Sequence, residues 1–216
     1  MIFLSLKTYP EATGDNAIKL STIVKRVTQE TGVPIFPAAQ ATDIYRIKQE
    51  LGIEVWAQHI DPIDPGRHFG WISPAAAKQA GASGVIINHA EHPVTPEVIQ
   101  ATLNKAREFG LKTLVLCETM DLARQVSTWR PDFIGYEKGD LIAGPVSMID
   151  QEEASIRELA GQIPQPLIIG AGIATGEHVR KTLAAGGKGI ILASAFVKAP
   201  DPYVKLTELA APLAAG

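Results

Sequence analysis

Residues 84–117 read GVIINHAEHPVTPEVIQATLNKAREFGLKTLVLC, and the architecture follows from this stretch. Gly84–Asn88 is a short, β-branched, unbroken apolar run of strand length. Thr95-Pro96-Glu97 then sets a capping hydroxyl ahead of a proline at the first helical position. Val98, Ile99, Leu103, Ala106 and Phe109 recur at helical spacing with polar residues between them. Gly110 stops that helix, and Thr113–Cys117 is a second apolar run. Unbroken apolar strands, as opposed to alternating ones, are what parallel strands covered on both faces require. The stretch is therefore a strand–helix–strand unit.

The same rhythm extends in both directions. Candidate strands are Ile2–Leu6, Pro34–Pro37, Glu54–Ala57, Gly84–Asn88, Thr113–Cys117, Phe133–Tyr136, Leu167–Ile169 and Gly189–Leu192, with helical segments between them such as the one carrying Ile18, Leu20, Ile23, Val24 and Val27. Ser73-Pro74, Thr119 or Asp121, and Thr175-Gly176-Glu177 mark further helix starts, and Gly81 and Gly186 further stops. Dividing 216 residues among eight units leaves 27 for each, enough for one strand, one helix and short turns. The expected fold is α/β, a closed (β/α)8 barrel forming a single domain over 1–216, with an open doubly wound sheet second. No composition shift or linker divides the chain into two small domains.

Composition narrows the function classes. With 46% hydrophobic and 20% charged residues the chain is an ordinary globular one. The single Cys117 excludes an internal disulfide framework, and a buried packing role is expected for it. A net charge of −3 with scattered Lys and Arg lacks the footprint of a nucleic-acid binder; the run Met1–Leu6, without basic residues and interrupted by Lys7, is not expected to serve as a signal peptide, and no apolar run reaches membrane length. A soluble, cytoplasmic protein with neither nucleic acid nor membrane as partner is expected.

In a (β/α)8 barrel, chemistry sits at the C-terminal ends of the strands. Strand one ends in Ser5-Leu6-Lys7-Thr8-Tyr9, strand four in Asn88-His89-Ala90-Glu91-His92, and strand six in Tyr136-Glu137-Lys138, so a cation, an imidazole and a carboxylate share one rim. Strands seven and eight end in Gly170-Ala171-Gly172-Ile173 and Leu192-Ala193-Ser194-Ala195. Small residues there expose backbone N–H groups near helix N-termini, which bind phosphate.

These residues resemble the triosephosphate isomerase family in its short, archaeal-type form. The likeness runs through Lys7-Thr8-Tyr9 with Glu11-Ala12-Thr13-Gly14, Gln58-His59-Ile60-Asp61-Pro62, Asn88-His89-x-Glu91, Glu137, Gly170-Ala171-Gly172-Ile173 and Leu192-Ala193-Ser194. The resemblance implies interconversion of glyceraldehyde 3-phosphate and dihydroxyacetone phosphate, the glycolytic and gluconeogenic isomerisation, without a cofactor. By it Glu137 is the base, His89 the electrophile and Lys7 the cation. The resemblance also implies that Ser5, Lys7, Ile142, Ala143, Gly172, Ala193 and Ser194 contact substrate; Glu91 is expected to partner Lys7 or a neighbouring backbone group and not to act as a second base. Lys138–Pro145 is the lid, and the loop Pro65–Trp71 inserts into a neighbour in a homodimer or homotetramer. The chemistry independently asks for one carboxylate that takes a carbon-bound proton and returns it to the adjacent carbon, opposite a neutral donor and a fixed cation.

The chain departs from the family in four places. Ser5 replaces an asparagine; Ala90 replaces a serine; the lid has Lys138 for the proline after the base and an end compressed into Ile142-Ala143-Gly144-Pro145; and Phe69 and Trp71 stand in the strand-three loop. Loss of hydrogen bonds around the site and a stiff Pro145 hinge beside a looser Lys138 predict a functional but slower enzyme. Two other readings fit the same rim: an aldolase with Lys7 as Schiff base, and a phosphate-binding paralogue with weak or no turnover. His59, Asp61, His89 and His92 lack a convincing third ligand spacing, so no metal is expected. Gly170-x-Gly172-x-x-x-Gly176 has its last glycine one place late for a dinucleotide fingerprint.

Overall fold

A computed structural model describes residues 1–142, 144 and 146–214. Eight strands form a closed barrel: β1 (Ile2–Ser5), β2 (Ile35–Ala39), β3 (Val55–Ala57), β4 (Ala82–Ile87), β5 (Lys112–Cys117), β6 (Phe133–Tyr136), β7 (Leu167–Ile169) and β8 (Gly189–Leu192). Each strand pairs in parallel with the next, and β8 closes on β1 through Ile2↔Ile190, Phe3↔Ile191 and Leu4↔Leu192. All eight expected strands are present. The boundaries move where backbone geometry dictates: β1 stops at Ser5 because Lys7 turns left-handed, at φ 48°.

The helices α1 (Asp15–Thr31), α2 (Ala41–Leu51), α3 (Pro74–Gln79), α4 (Pro96–Glu108), α5 (Met120–Thr128), α6 (Met148–Gln162), α7 (Gly176–Ala184), α8 (Ser194–Val197) and α9 (Pro202–Ala214) lie outside the barrel. The side chains of Thr95, Thr119, Ser147 and Thr175 accept N–H bonds from the residue three places on, so these N-caps satisfy otherwise orphaned donors. Ser73 also holds an N-cap position, but its hydroxyl makes no capping bond; Pro74, which lacks the N–H, already lightens the demand. Gly110, with φ 63°, follows the end of α4 in the left-handed conformation that glycine tolerates best.

Burial explains the unbroken apolar strands. In β1, Ile2 and Leu4 pack outward against the helices, whereas Phe3 points into the barrel with Ala38, Trp56, Ile86, Leu114, Leu116, Ile168 and Ile191. Both faces are thus removed from water. Phe3 meets Trp56 edge-on, with centroids 4.9 Å apart and planes at 83°, and Met1, Phe36 and Phe133 pack against this cluster near the N-terminal ends of the strands. The interior is therefore filled below, and a cleft opens at the C-terminal ends.

Two glycines inside the sheet make that filling fit. A Cβ on Gly84 would lie 2.7 Å from a Trp56 ring carbon and 2.8 Å from the Lys112 carbonyl, and one on Gly135 would collide with Leu116. Gly84→Ala is expected to cost about 1–3 kcal/mol through overpacking. Urea unfolding should show a lower midpoint at unchanged slope.

Candidate active site

Three non-glycine residues at the C-terminal rim hold left-handed backbone: Lys7 (φ 48°), Asn88 (φ 64°) and Ala171 (φ 64°). Such residues cost energy and persist only where their surroundings hold them. For Lys7 the brace is Gln58, whose side-chain amide donates to the Lys7 carbonyl at 3.0 Å and to the Ala38 carbonyl of β2 at 2.9 Å. For Asn88 it is the residue's own buried amide, which donates to the Leu116 carbonyl at 2.8 Å and accepts the Val94 N–H at 3.0 Å. The two bends turn the Lys7 and His89 side chains into the barrel mouth, where both line one cleft. Gln58 and Asn88 stood in the quoted motifs, but their bracing bonds have no signature in sequence.

His89 Nδ1 accepts the Glu91 N–H at 3.0 Å, so the neutral ring carries its proton on Nε2. Burial, and next the charge of Lys7, hold His89 below the usual histidine range. Its Nε2 lies 3.6 Å from Glu137 Oε1, beyond hydrogen-bond reach. Lys7 forms an ion pair with the Glu91 carboxylate.

Glu137 is 3% exposed, and burial pushes its carboxyl up to about 7 against the opposing charge of Lys7, while Glu118 and Glu91 push it further upward. Its Oε1 has no hydrogen-bond partner among the described residues. Room for the other oxygen comes from Gly170, where a Cβ would collide with Glu137 Oε2. The Gly170-Ala171-Gly172 run therefore accommodates the carboxylate as well as the loop that follows it. A buried carboxylate with a proton affinity near neutrality and a free oxygen is suited to take and return a proton.

Ser5, Lys7, His89, Glu137, Ile142, Gly172, Ala193 and Ser194 all border one cleft of about 230 Å³. Ala143 lies outside the described residues, as does Pro145. Glu91 borders an adjoining space of about 210 Å³ with Gln58, His59 and His92, whose imidazoles stack at 4.4 Å. At the other end of the cleft, a Cβ on Gly172 would lie 2.5 Å from the Val146 carbonyl, so this glycine lets the chain after the lid pack close. The first turn of α7 is already satisfied: Thr175 caps it, and Glu208 of α9 accepts the Gly176 N–H at 3.0 Å. The start of α8, at Ala193-Ser194, has no side-chain cap.

Residues 1–129 match the family model described as triosephosphate isomerase. A triosephosphate isomerase of Methanobacterium bryantii is 40% identical over 214 residues, covering 97% of this chain and 95% of that protein. The chain belongs to the triosephosphate isomerase family. The Saccharolobus solfataricus triosephosphate isomerase is 35% identical over 206 residues, covering 94% of this chain and 91% of that one. A crystal structure of triosephosphate isomerase from Bartonella henselae shares the fold at a TM-score of 0.72 and 22% identity, covering 95% of this chain and 96% of that one. The relatives sharing this much sequence are isomerases, and the (β/α)8 expectation agrees with the observed closed barrel.

Burying Glu137 has a stability consequence. A carboxyl raised in the folded state from an unfolded value of 4.5 to about 7 binds its proton more tightly when folded. Its contribution is fully present below about pH 4.5 and is lost as pH rises through about 7, a difference on the order of 3 kcal/mol. Urea unfolding at pH 5 and pH 8 should show Glu137→Gln more stable than the wild type at pH 8, with the gap shrinking at pH 5.

Proposed function

We propose that this chain interconverts D-glyceraldehyde 3-phosphate and dihydroxyacetone phosphate, in one barrel spanning 1–216. The observation that carries the reading is the buried Glu137 carboxylate, raised to about 7, whose Oε1 has no hydrogen-bond partner among the described residues and lies 3.6 Å from Nε2 of a neutral imidazole.

Glu137 removes a proton from the carbon beside the carbonyl and returns it to the neighbouring carbon, so one carboxylate serves both halves of the reaction. His89 donates from Nε2 to the oxygens of the enediolate and shuttles their proton. It is suited to this because its ring is neutral and its tautomer is set by the Glu91 N–H. The Lys7 ammonium stabilises the developing negative charge, and its left-handed backbone supports a fixed position. Ser5 borders the same space in place of an amide. Gly172, Ala193 and Ser194 bind the phosphate through backbone N–H groups. Because Glu208 already occupies the α7 start, the uncapped α8 start is the better anion seat of the two. Ile142 closes over the substrate from the lid, and water exclusion protects the enediolate.

A coupled isomerase assay tests this. Wild type turns over, with kcat/KM falling as pH drops below about 7, and Glu137→Gln loses roughly 10²–10⁴-fold in kcat while still binding 2-phosphoglycolate. Turnover retained in Glu137→Gln removes the proposed base. Binding of 2-phosphoglycolate by a wild type without turnover selects the non-catalytic paralogue, and borohydride trapping of a keto substrate on Lys7 selects the aldolase.

A homodimer or homotetramer is the proposed assembly, and the cytoplasm the proposed compartment; no helix among the described residues is long and apolar enough to cross a membrane. Phe69 is fully exposed and Trp71 more than half exposed on a loop pinned at its base, where Asp61 Oδ2 accepts the Ile72 N–H at 2.6 Å. Large apolar groups held in water on a fixed loop fit an interface. Phe69→Ser is expected to shift sedimentation toward monomer; unchanged sedimentation of an oligomeric wild type would place the interface elsewhere.

A further inference from the structure

The lid's front hinge is tied down from two sides. Gly139 donates its N–H to Glu118 Oε1 at 2.9 Å, and Glu118 stands directly after β5, next to the buried Cys117. One residue earlier, Lys138 forms an ion pair with Glu152 of α6, at the place where that helix leaves helical geometry (φ −121°, ψ 25°). A single 3-10 turn, Gly139–Leu141, follows at once, and it carries Ile142 to the wall of the cleft that holds Lys7, His89 and Glu137. Gly139 is required by this contact: a Cβ there would collide with Glu118 Oε1 and lie 3.3 Å from Ala90. Glu118 therefore touches the hinge two residues after the base, and the hinge glycine is shaped to receive it.

Resting on the isomerase reading, we propose that Glu118 is a positioning residue for the isomerisation, holding the lid's front hinge against the barrel mouth and placing a fixed negative charge beside the base. The first role comes from the hydrogen bond, because an N–H to carboxylate bond is stronger than one between neutral groups. The second follows from the surroundings of Glu137. Lys7 from the end of β1, His89 and Glu91 from the loop after β4, and Glu118 from the end of β5 are its titratable neighbours, while the uncharged Gly170 lies against it directly after β7. Lys7 favours the ionised base; Glu91 and Glu118 oppose it and favour the protonated form. Glu118 also raises His89, against the lowering by burial and Lys7. Removing the Glu118 charge thus makes Glu137 easier to ionise, so the acid limb of kcat/KM moves to lower pH.

The two roles separate in two variants. Glu118→Gln keeps an oxygen acceptor for Gly139 but removes the charge; Glu118→Ala removes both. The experiment combines amide hydrogen exchange at Gly139 with pH profiles of kcat and kcat/KM for the wild type and both variants. Expected are slow Gly139 exchange in wild type and Glu118→Gln, exchange about tenfold faster in Glu118→Ala, and a roughly two- to threefold gain in kcat/KM on the acid limb for both. A fall in kcat of several-fold is expected for Glu118→Ala alone. Equal Gly139 exchange in wild type and Glu118→Ala, or an acid limb unmoved in both variants, overturns the proposal. Absent wild-type turnover, with Gly139 exchange still dependent on Glu118, overturns the isomerase reading and supports the hinge brace alone.

Discussion

A carboxylate taken out of water at the mouth of a closed barrel is the constraint to which the rest of this structure answers. Glu137 is almost wholly buried and pushed up to about 7, and an ionised carboxylate in such a place costs stability that the fold supplies elsewhere. The barrel can hold it because the interior beneath is packed solid around Phe3 and Trp56, leaving the mouth as the place where a polar group can sit beside a cleft. Gly170 gives the carboxylate space, Lys7 partly offsets its burial, and a 3-10 turn begins two residues on at Gly139.

The site is assembled from pieces that are each held by something other than their own sequence neighbourhood. Lys7 keeps its left-handed backbone because Gln58 of the loop after β3 bonds across to it. His89 is presented by Asn88, which is anchored on β5. The histidine's tautomer is set by the backbone two residues on, and its neutrality chiefly by burial. Where α7 might have offered its N-terminus to an anion, Glu208 from the far end of the chain fills it, so α8 is left as the uncapped start. Rigid packing and strained backbone concentrate where three chemical groups must keep a common geometry.

Much of this was legible in the order of residues. Unbroken apolar runs such as Val85-Ile86-Ile87 spoke for strands buried on both faces, and the capping hydroxyls of Thr95 and Thr175 marked helix starts that the backbone indeed uses, while between Thr119 and Asp121 only the folded backbone chose Thr119. That Lys7, His89 and Glu137 share one rim was legible because each follows a strand end, and the three do line one cleft. Other features had no sequence signal. Nothing in Glu118 distinguishes it from a solvated glutamate until Gly139 is folded against it, and Lys138, expected to loosen the hinge, is tied to Glu152 across fourteen positions. Ser73 had the right residue type for a cap without the bond.

What the sequence by itself determined is the kind of element at each position and the strand ends from which the polar groups project, because hydrophobic period, caps and glycines act over a few residues. What only the tertiary structure decided is how those groups behave: the proton affinity of Glu137, the neutral tautomer of His89, the held bend at Lys7 and the tethered lid hinge. Each depends on desolvation or on bonds between residues far apart in the chain, and such terms arise only when the barrel closes.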